Sequence, residues 1–147
     1  MTTVREPNYS LDLPGEWIPA ESDDPATTVY RAADGSARAS ITLLAMRPMF
    51  TIADPHGLLE DYLHHRPQFE KGRAPGLEQS EPTSWQEGDV HLGEWQALDT
   101  ATGARQAHRV ILTGVLLADF VYEETGADEP AFAEHAGAVL ASANAWA

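Results

Sequence analysis

The sequence contains no cysteine. Disulfides, thiolate zinc sites and a cysteine nucleophile are therefore excluded. Basic charge is scarce: nine Lys and Arg stand against 23 Asp and Glu, for a formal net charge of −14. Contacts to a phosphate backbone are made by clustered Lys and Arg, so no nucleic-acid partner is expected. No apolar run approaches the roughly 20 residues of a membrane-spanning helix, and the longest is interrupted by Asp119. No membrane insertion is expected. The opening MTTVREPNYS lacks the apolar stretch of a signal peptide, which gives the expectation of a cytoplasmic protein. The glycines never form GxGxxG or GxxxxGK, so those routes to nucleotide binding are absent.

What is present suits one domain spanning residues 1–147, with 43% hydrophobic residues to form its core. Alternation of apolar and polar residues predicts strands at Tyr9–Leu13, Thr27–Arg31 and Arg38–Met46. A short, irregular strand is expected within Glu78–Trp85. Three clearer strands follow, Val90–Asp99, Gln106–Leu112 and Val115–Glu123, as an antiparallel meander. Asp54-Pro55 supplies an N-cap and a preset first turn for a helix carrying Leu58, Leu59, Tyr62 and Leu63, which Pro67 should end or disturb. Asp128 and Pro130 open a second helix, with Phe132, His135, Ala136, Val139, Leu140 and Ala143 on its apolar face. The expected fold class is α+β, an α/β/α sandwich on an antiparallel sheet of about six or seven strands with two main helices.

The strand that runs into Leu13-Pro14-Gly15-Glu16-Trp17, the middle helix, Gly93 ahead of Trp95, Asp99 at the end of that strand and the closing helix together resemble the PsbP/DcrB-like superfamily. The resemblance runs from Tyr9 to about Ala143 and rests mainly on order and spacing. It implies an α/β/α sandwich and a mostly non-enzymatic role. Members include a lumenal photosystem subunit, a Ran-binding import factor, bacterial lipoproteins and cytoplasmic chaperones of secreted effectors. No lipobox cysteine is present here, so the resemblance points to the bacterial cytoplasmic adaptors and chaperones.

One constellation carries potential chemistry. If Thr113-Gly114 is a two-residue turn, His108 lies opposite Asp119; a four-residue loop after Asp99 sets Trp95 opposite His108 and Glu94 opposite Arg109. Trp95, His108 and Asp119 then form a row on one sheet face. A carboxylate beside an imidazole orients a general base. No nucleophile accompanies it, since Ser40, Thr42, Ser84 and Ser142 lack an elbow or triad context. The plainer readings are a cross-strand polar pair beneath an aromatic ring, or a ligand or partner contact. Asp61 and His65 share a helical face beside His64, but adjacent histidines diverge by about 100°, which argues against a shared metal. Glu21-Ser22-Asp23-Asp24 lacks a calcium-loop ladder. No metal and no cofactor are implied.

The apolar residues suggest a surface. Leu112, Val115, Leu116 and Leu117 make both faces of one hairpin apolar, while Met46, Met49 and Phe50 flank Arg47-Pro48. A sheet apolar on both sides needs cover on both sides, or a partner. The primary expectation is a non-enzymatic adaptor or chaperone that binds a protein or peptide on this partly apolar sheet face, with Leu116 and Leu117 in contact; a homodimer is one assembly compatible with it. Two alternatives stand beside it: a small-molecule binder or small enzyme using Trp95, His108 and Asp119, and an acidic immunity or regulatory protein for a basic partner.

Overall fold

The computed structural model describes residues 1–45 and 54–147. Among the described residues eleven strands and two helices follow in chain order. They are β1 (Thr2–Arg5), β2 (Tyr9–Leu13), β3 (Trp17–Ala20), β4 (Thr27–Ala32), β5 (Ala37–Ala45), α1 (Pro55–Arg73), β6 (Leu77–Gln79), β7 (Thr83–Glu87), β8 (Val90–Asp99), β9 (Ala104–Thr113), β10 (Leu116–Thr125), α2 (Glu129–Ser142) and β11 (Asn144–Ala145). An eight-stranded antiparallel sheet runs β3-β4-β5-β10-β9-β8-β6, with β7 also paired to β8; a second sheet of three strands runs β1-β2-β11. The fold is α+β, as expected.

The two faces of the large sheet are buried by different means. On one, Ala39, Ile41, Ala107, Ile111, Ala118, Phe120 and Tyr122 meet α2 and the three-stranded sheet, through Phe132, Ala136, Val139, Tyr9, Leu11 and Leu13. On the other, a smaller core of Trp95, Val110, Leu112 and Leu117 packs against Leu59 and Leu63 of α1. Period-2 alternation along each central strand feeds both cores at once.

Both helices start where the sequence signals them. The Asp54 side chain accepts from the Gly57 N–H at 3.0 Å, and Asp128 accepts from the Ala131 N–H at 2.9 Å. Pro67, however, neither ends nor breaks α1, which continues to Arg73. Its ring is buried in line with Leu59 and Leu63, and its carbonyl accepts from Gln79 Nε2 at 2.7 Å, so packing outweighs the lost helical hydrogen bond.

The strand count exceeds six or seven. β1 is too short to show a period. β3 carries Pro19, which an edge strand tolerates because one side has no ladder to donate to. The Glu78–Trp85 segment divides at Glu81-Pro82 into β6 and β7, which pair with opposite ends of β8. Met46, Met49 and Phe50 lie outside the described residues.

The β9–β10 turn is Gly114-Val115, not Thr113-Gly114, with Thr113 paired to Leu116. A type I′ turn would demand positive φ at Thr113 as well as at glycine. Placing Gly114 first, at φ 56, needs positive φ there alone.

Gly93 governs how closely α1 lies on the sheet. A Cβ added there would stand 2.5 Å and 2.8 Å from the two terminal carbons of Leu63. Leu63 is buried, so any shift of its side chain has to be taken up by the close-packed core around it. Gly93→Ala is expected to cost about 1–3 kcal/mol through overpacking. Calorimetry of Gly93→Ala, Leu63→Ala and the double variant checks this: the two losses should be strongly non-additive, and simple additivity would refute the contact.

Candidate functional site

Three neighbouring strands bring Trp95, His108 and Asp119 together on the α1 side of the sheet. Trp95 is paired directly with His108, and Glu94 with Arg109, both in the expected register. The Trp95 and His108 rings stack at 4.0 Å with 13° between their planes. On the opposite face Glu94 Oε1 accepts from Arg109 Nε at 2.9 Å, and the Arg109 guanidinium also lies over the Trp85 ring. Asp119 does not stand opposite His108: it pairs with Val110, and His108 with Val121. The displacement is two residues, so the side chains keep the same face. The carboxylate still reaches diagonally, with Oδ1 3.3 Å from His108 Nδ1.

Helix α1 completes the arrangement with residues that are far away in sequence. Tyr62 donates its hydroxyl to Asp119 Oδ2 at 2.7 Å. Glu70 Oε1 accepts from Arg66 Nε at 3.1 Å, while Glu70 Oε2 stands 3.6 Å from His108 Nε2, beyond hydrogen-bond range. His108 Nε2, Glu70 Oε2 and Trp95 Nε1 are buried without a hydrogen-bond partner. Because a carboxylate only accepts, the contact with Asp119 places a proton on His108 Nδ1.

α1 does not reach across the whole sheet. Beyond its C-terminal half the same face opens into a cleft of about 610 Å³ with His108 and Asp119 on its floor. Its charged lining carries both signs: Arg38, Arg66 and Arg73, with Asp23, Asp24, Glu70, Asp99, Asp119 and Glu123. Ser40, Thr42 and Gln106 continue the polar surface. Chemically, this is a surface for polar and ionic recognition. His108 and Asp119, at 2% and 3% exposure, support the floor.

The expected apolar groove is not what the described residues show. Leu117 is 1% exposed beneath α1 and Leu116 is 7% exposed, so both are core residues here. Val115, at the turn, is the exposed apolar residue of that hairpin. The physical reason is that both helices and the small sheet cover the apolar parts of the two faces, and the polar part of the α1 face is left open by the described residues.

Four of the other five histidines make hydrogen bonds in small groups. His56 is half-buried: its Nδ1 lies 3.0 Å from His91 Nδ1, and its Nε2 lies 3.2 Å from Ser84 Oγ and 3.3 Å from Glu60 Oε1. This serine–histidine contact escapes sequence reasoning because its members come from α1, β7 and β8. His65 Nδ1 donates to the Asp61 carbonyl at 2.8 Å. His135 lies at the edge of the apolar face as a hydrogen-bonded histidine: its side chain is about half exposed and donates from Nδ1 to Glu124 Oε1 at 2.7 Å. Among the described residues no group of three or more His, Asp or Glu is placed to hold a metal, and no helix is long and apolar enough to cross a membrane.

No protein-family model and no curated protein matches the sequence. Solved structures do. The chain is similar to the cyanobacterial PsbP protein CyanoP of Synechocystis sp. PCC 6803, with a TM-score of 0.73 at 13% identity over 99% of this chain and 92% of that one. It is similar to the Ran-binding protein Mog1p of Saccharomyces cerevisiae, with a TM-score of 0.59 at 12% identity over 93% and 89% of the two chains. LpqN of Mycobacterium tuberculosis, involved in cell envelope biogenesis, aligns with a TM-score of 0.50 at 14% identity over 97% and 88%. The chain has the PsbP-like fold. Within that PsbP-like frame, Gly93 and Trp95 stand on β8 beneath α1, where the sequence resemblance had singled them out.

Burial raises the Tyr62 phenol well above its ordinary value of 10.0, and the Asp119 carboxylate raises it further. Burial does the same for Tyr122, with Glu124 adding to it. Below about pH 10 both folded and unfolded chains hold these protons, and the groups contribute no pH dependence. Above it the unfolded chain ionises first, so stability falls as pH rises. Denaturant unfolding from pH 8 to 11 should show this decline, and Tyr62→Phe should flatten part of it. A wild-type stability constant across that range would contradict the assignment.

Proposed function

We propose that the chain is a non-enzymatic binding protein, an adaptor or chaperone that engages a protein or peptide partner through the open cleft on the α1 side of the sheet. The observation that carries this reading is that the part of the sheet face left uncovered by α1 is polar and lined with charges of both signs. Such a surface recognises complementary charges and main-chain groups rather than an apolar segment alone. The PsbP-like fold supports the reading, since Mog1p, of the same fold, is a Ran-binding protein. Leu116 and Leu117 then act by holding the sheet in shape, not by touching the partner.

Catalysis has less support. Asp119 and His108 form an oriented pair on the cleft floor, but both are almost fully buried, and among the described residues no serine or threonine hydroxyl is hydrogen-bonded to His108.

The test begins with recovery of the tagged protein from its native cells, with bound species identified by native and denaturing mass spectrometry. Arg38 and Arg73 are exposed and line the cleft, so Arg38→Glu with Arg73→Glu should leave folding intact. A partner recovered with the wild type should bind this double variant at least about tenfold more weakly, roughly 1.4 kcal/mol. Full retention of binding would move the interface elsewhere. A bound small molecule in place of a protein would favour the alternative site at Trp95, His108 and Asp119.

A further inference from the structure

A second pocket lies on the other side of the sheet, unrelated to the cleft. It occupies about 390 Å³ where the turn before β3, the β4–β5 hairpin and the middle of α2 converge. Trp17 and Tyr122 contribute its aromatic wall, and Glu16, Asp34, Glu124 and His135 its ionisable lining; no Lys or Arg lines it. The size is at the lower end of small-ligand sites.

Glu124 is the decisive residue. Its side chain is nine-tenths buried at the pocket, with one carboxylate oxygen accepting from His135 Nδ1 at 2.7 Å. The other, Oε2, is buried and makes no hydrogen bond of normal geometry, although the Tyr122 hydroxyl faces the same carboxylate from the pocket wall. A buried carboxylate oxygen left without a donor is costly, and a donor carrying positive charge offsets that cost best. Asp34 cannot supply one: its carboxylate accepts from the Ser36 N–H at 2.9 Å and from the Ser36 hydroxyl, contacts that hold its carboxyl below the usual range and keep it anionic. Among the described residues no third metal ligand is placed nearby, so an organic cation is the occupant considered.

From this we propose that the pocket binds an alkylammonium group, its N–H donors on Glu124 Oε2 and its carbon stem against Trp17 and Tyr122. A primary ammonium has three donors and no acceptor, which suits an acidic lining. The same chemistry is offered by a free amine and by a lysine side chain of a partner. The proposal does not depend on the cleft: either site can fail without the other.

The probes are n-butylammonium chloride, Nα-acetyl-lysine N-methylamide and, as a neutral analogue, n-butanol, followed by NMR. The Trp17 indole N–H, which donates to the Pro14 carbonyl at 2.7 Å, and the His135 ring report on the pocket. Both ammonium probes should shift these signals saturably with a Kd of about 1 mM or tighter, and n-butanol should not. Saturation by the lysine derivative assigns a side chain as the natural occupant; saturation by butylammonium alone assigns a free amine. Glu124→Gln should weaken binding at least about tenfold. His135 is exposed, so His135→Lys tests the same charge without disturbing the core, and it should abolish binding by supplying an internal ammonium. The proposal is overturned by absence of saturation in the wild type, by equal binding of n-butanol, or by His135→Lys binding as tightly as the wild type.

Discussion

The close seating of α1 on β8 is the contact on which the rest depends. Leu63 occupies the space that a side chain at position 93 would take, and only glycine leaves that space free. This approach closes a small apolar core of Leu59, Leu63, Trp95, Val110, Leu112 and Leu117. It also sets Tyr62 on Asp119 and brings Glu70 beside His108. A helix held farther out would leave a buried aspartate without its phenolic donor, a costly state for an ionised group. The polar floor and the apolar core beside it are thus consequences of one packing distance.

The division of the sheet's faces follows from what covers them. α2 and the three-stranded sheet together supply enough apolar surface for one whole face. α1 alone cannot span the other, which extends over eight strands. The uncovered portion must be compatible with water, and its residues are accordingly Ser40, Thr42, Gln106, Glu123 and Arg38. An open apolar groove at Leu116 and Leu117 would have exposed surface that these helices instead bury. The proposed recognition surface is polar for that reason.

Much of the site was legible from sequence, and the misses have identifiable causes. The β8–β9 register followed from the loop length after Asp99, and it set Trp95 on His108. A turn at Thr113-Gly114 lies one residue ahead of the one the chain makes, and the difference displaces the pairing of His108 by two positions. A displacement by an even number preserves the face, so His108 and Asp119 still met. Glu70, Tyr62, Arg38 and Arg66 carried no local signal for the site, because residues on a helix join a strand's polar row only through packing. The Ser84–His56–His91 contacts and the Glu124 pocket are likewise products of segments that meet only in the folded chain.

By itself the sequence determined where each helix begins, which strands alternate, and on which side of the sheet each of their residues lies. Those properties come from capping chemistry at Asp54 and Asp128 and from the two-residue period of a strand, both of which act over a few residues. Tertiary structure alone decided which part of a face is covered and which stays open. That outcome depends on contacts between distant segments, such as Leu63 against Gly93, whose effect is felt along a whole helix at once.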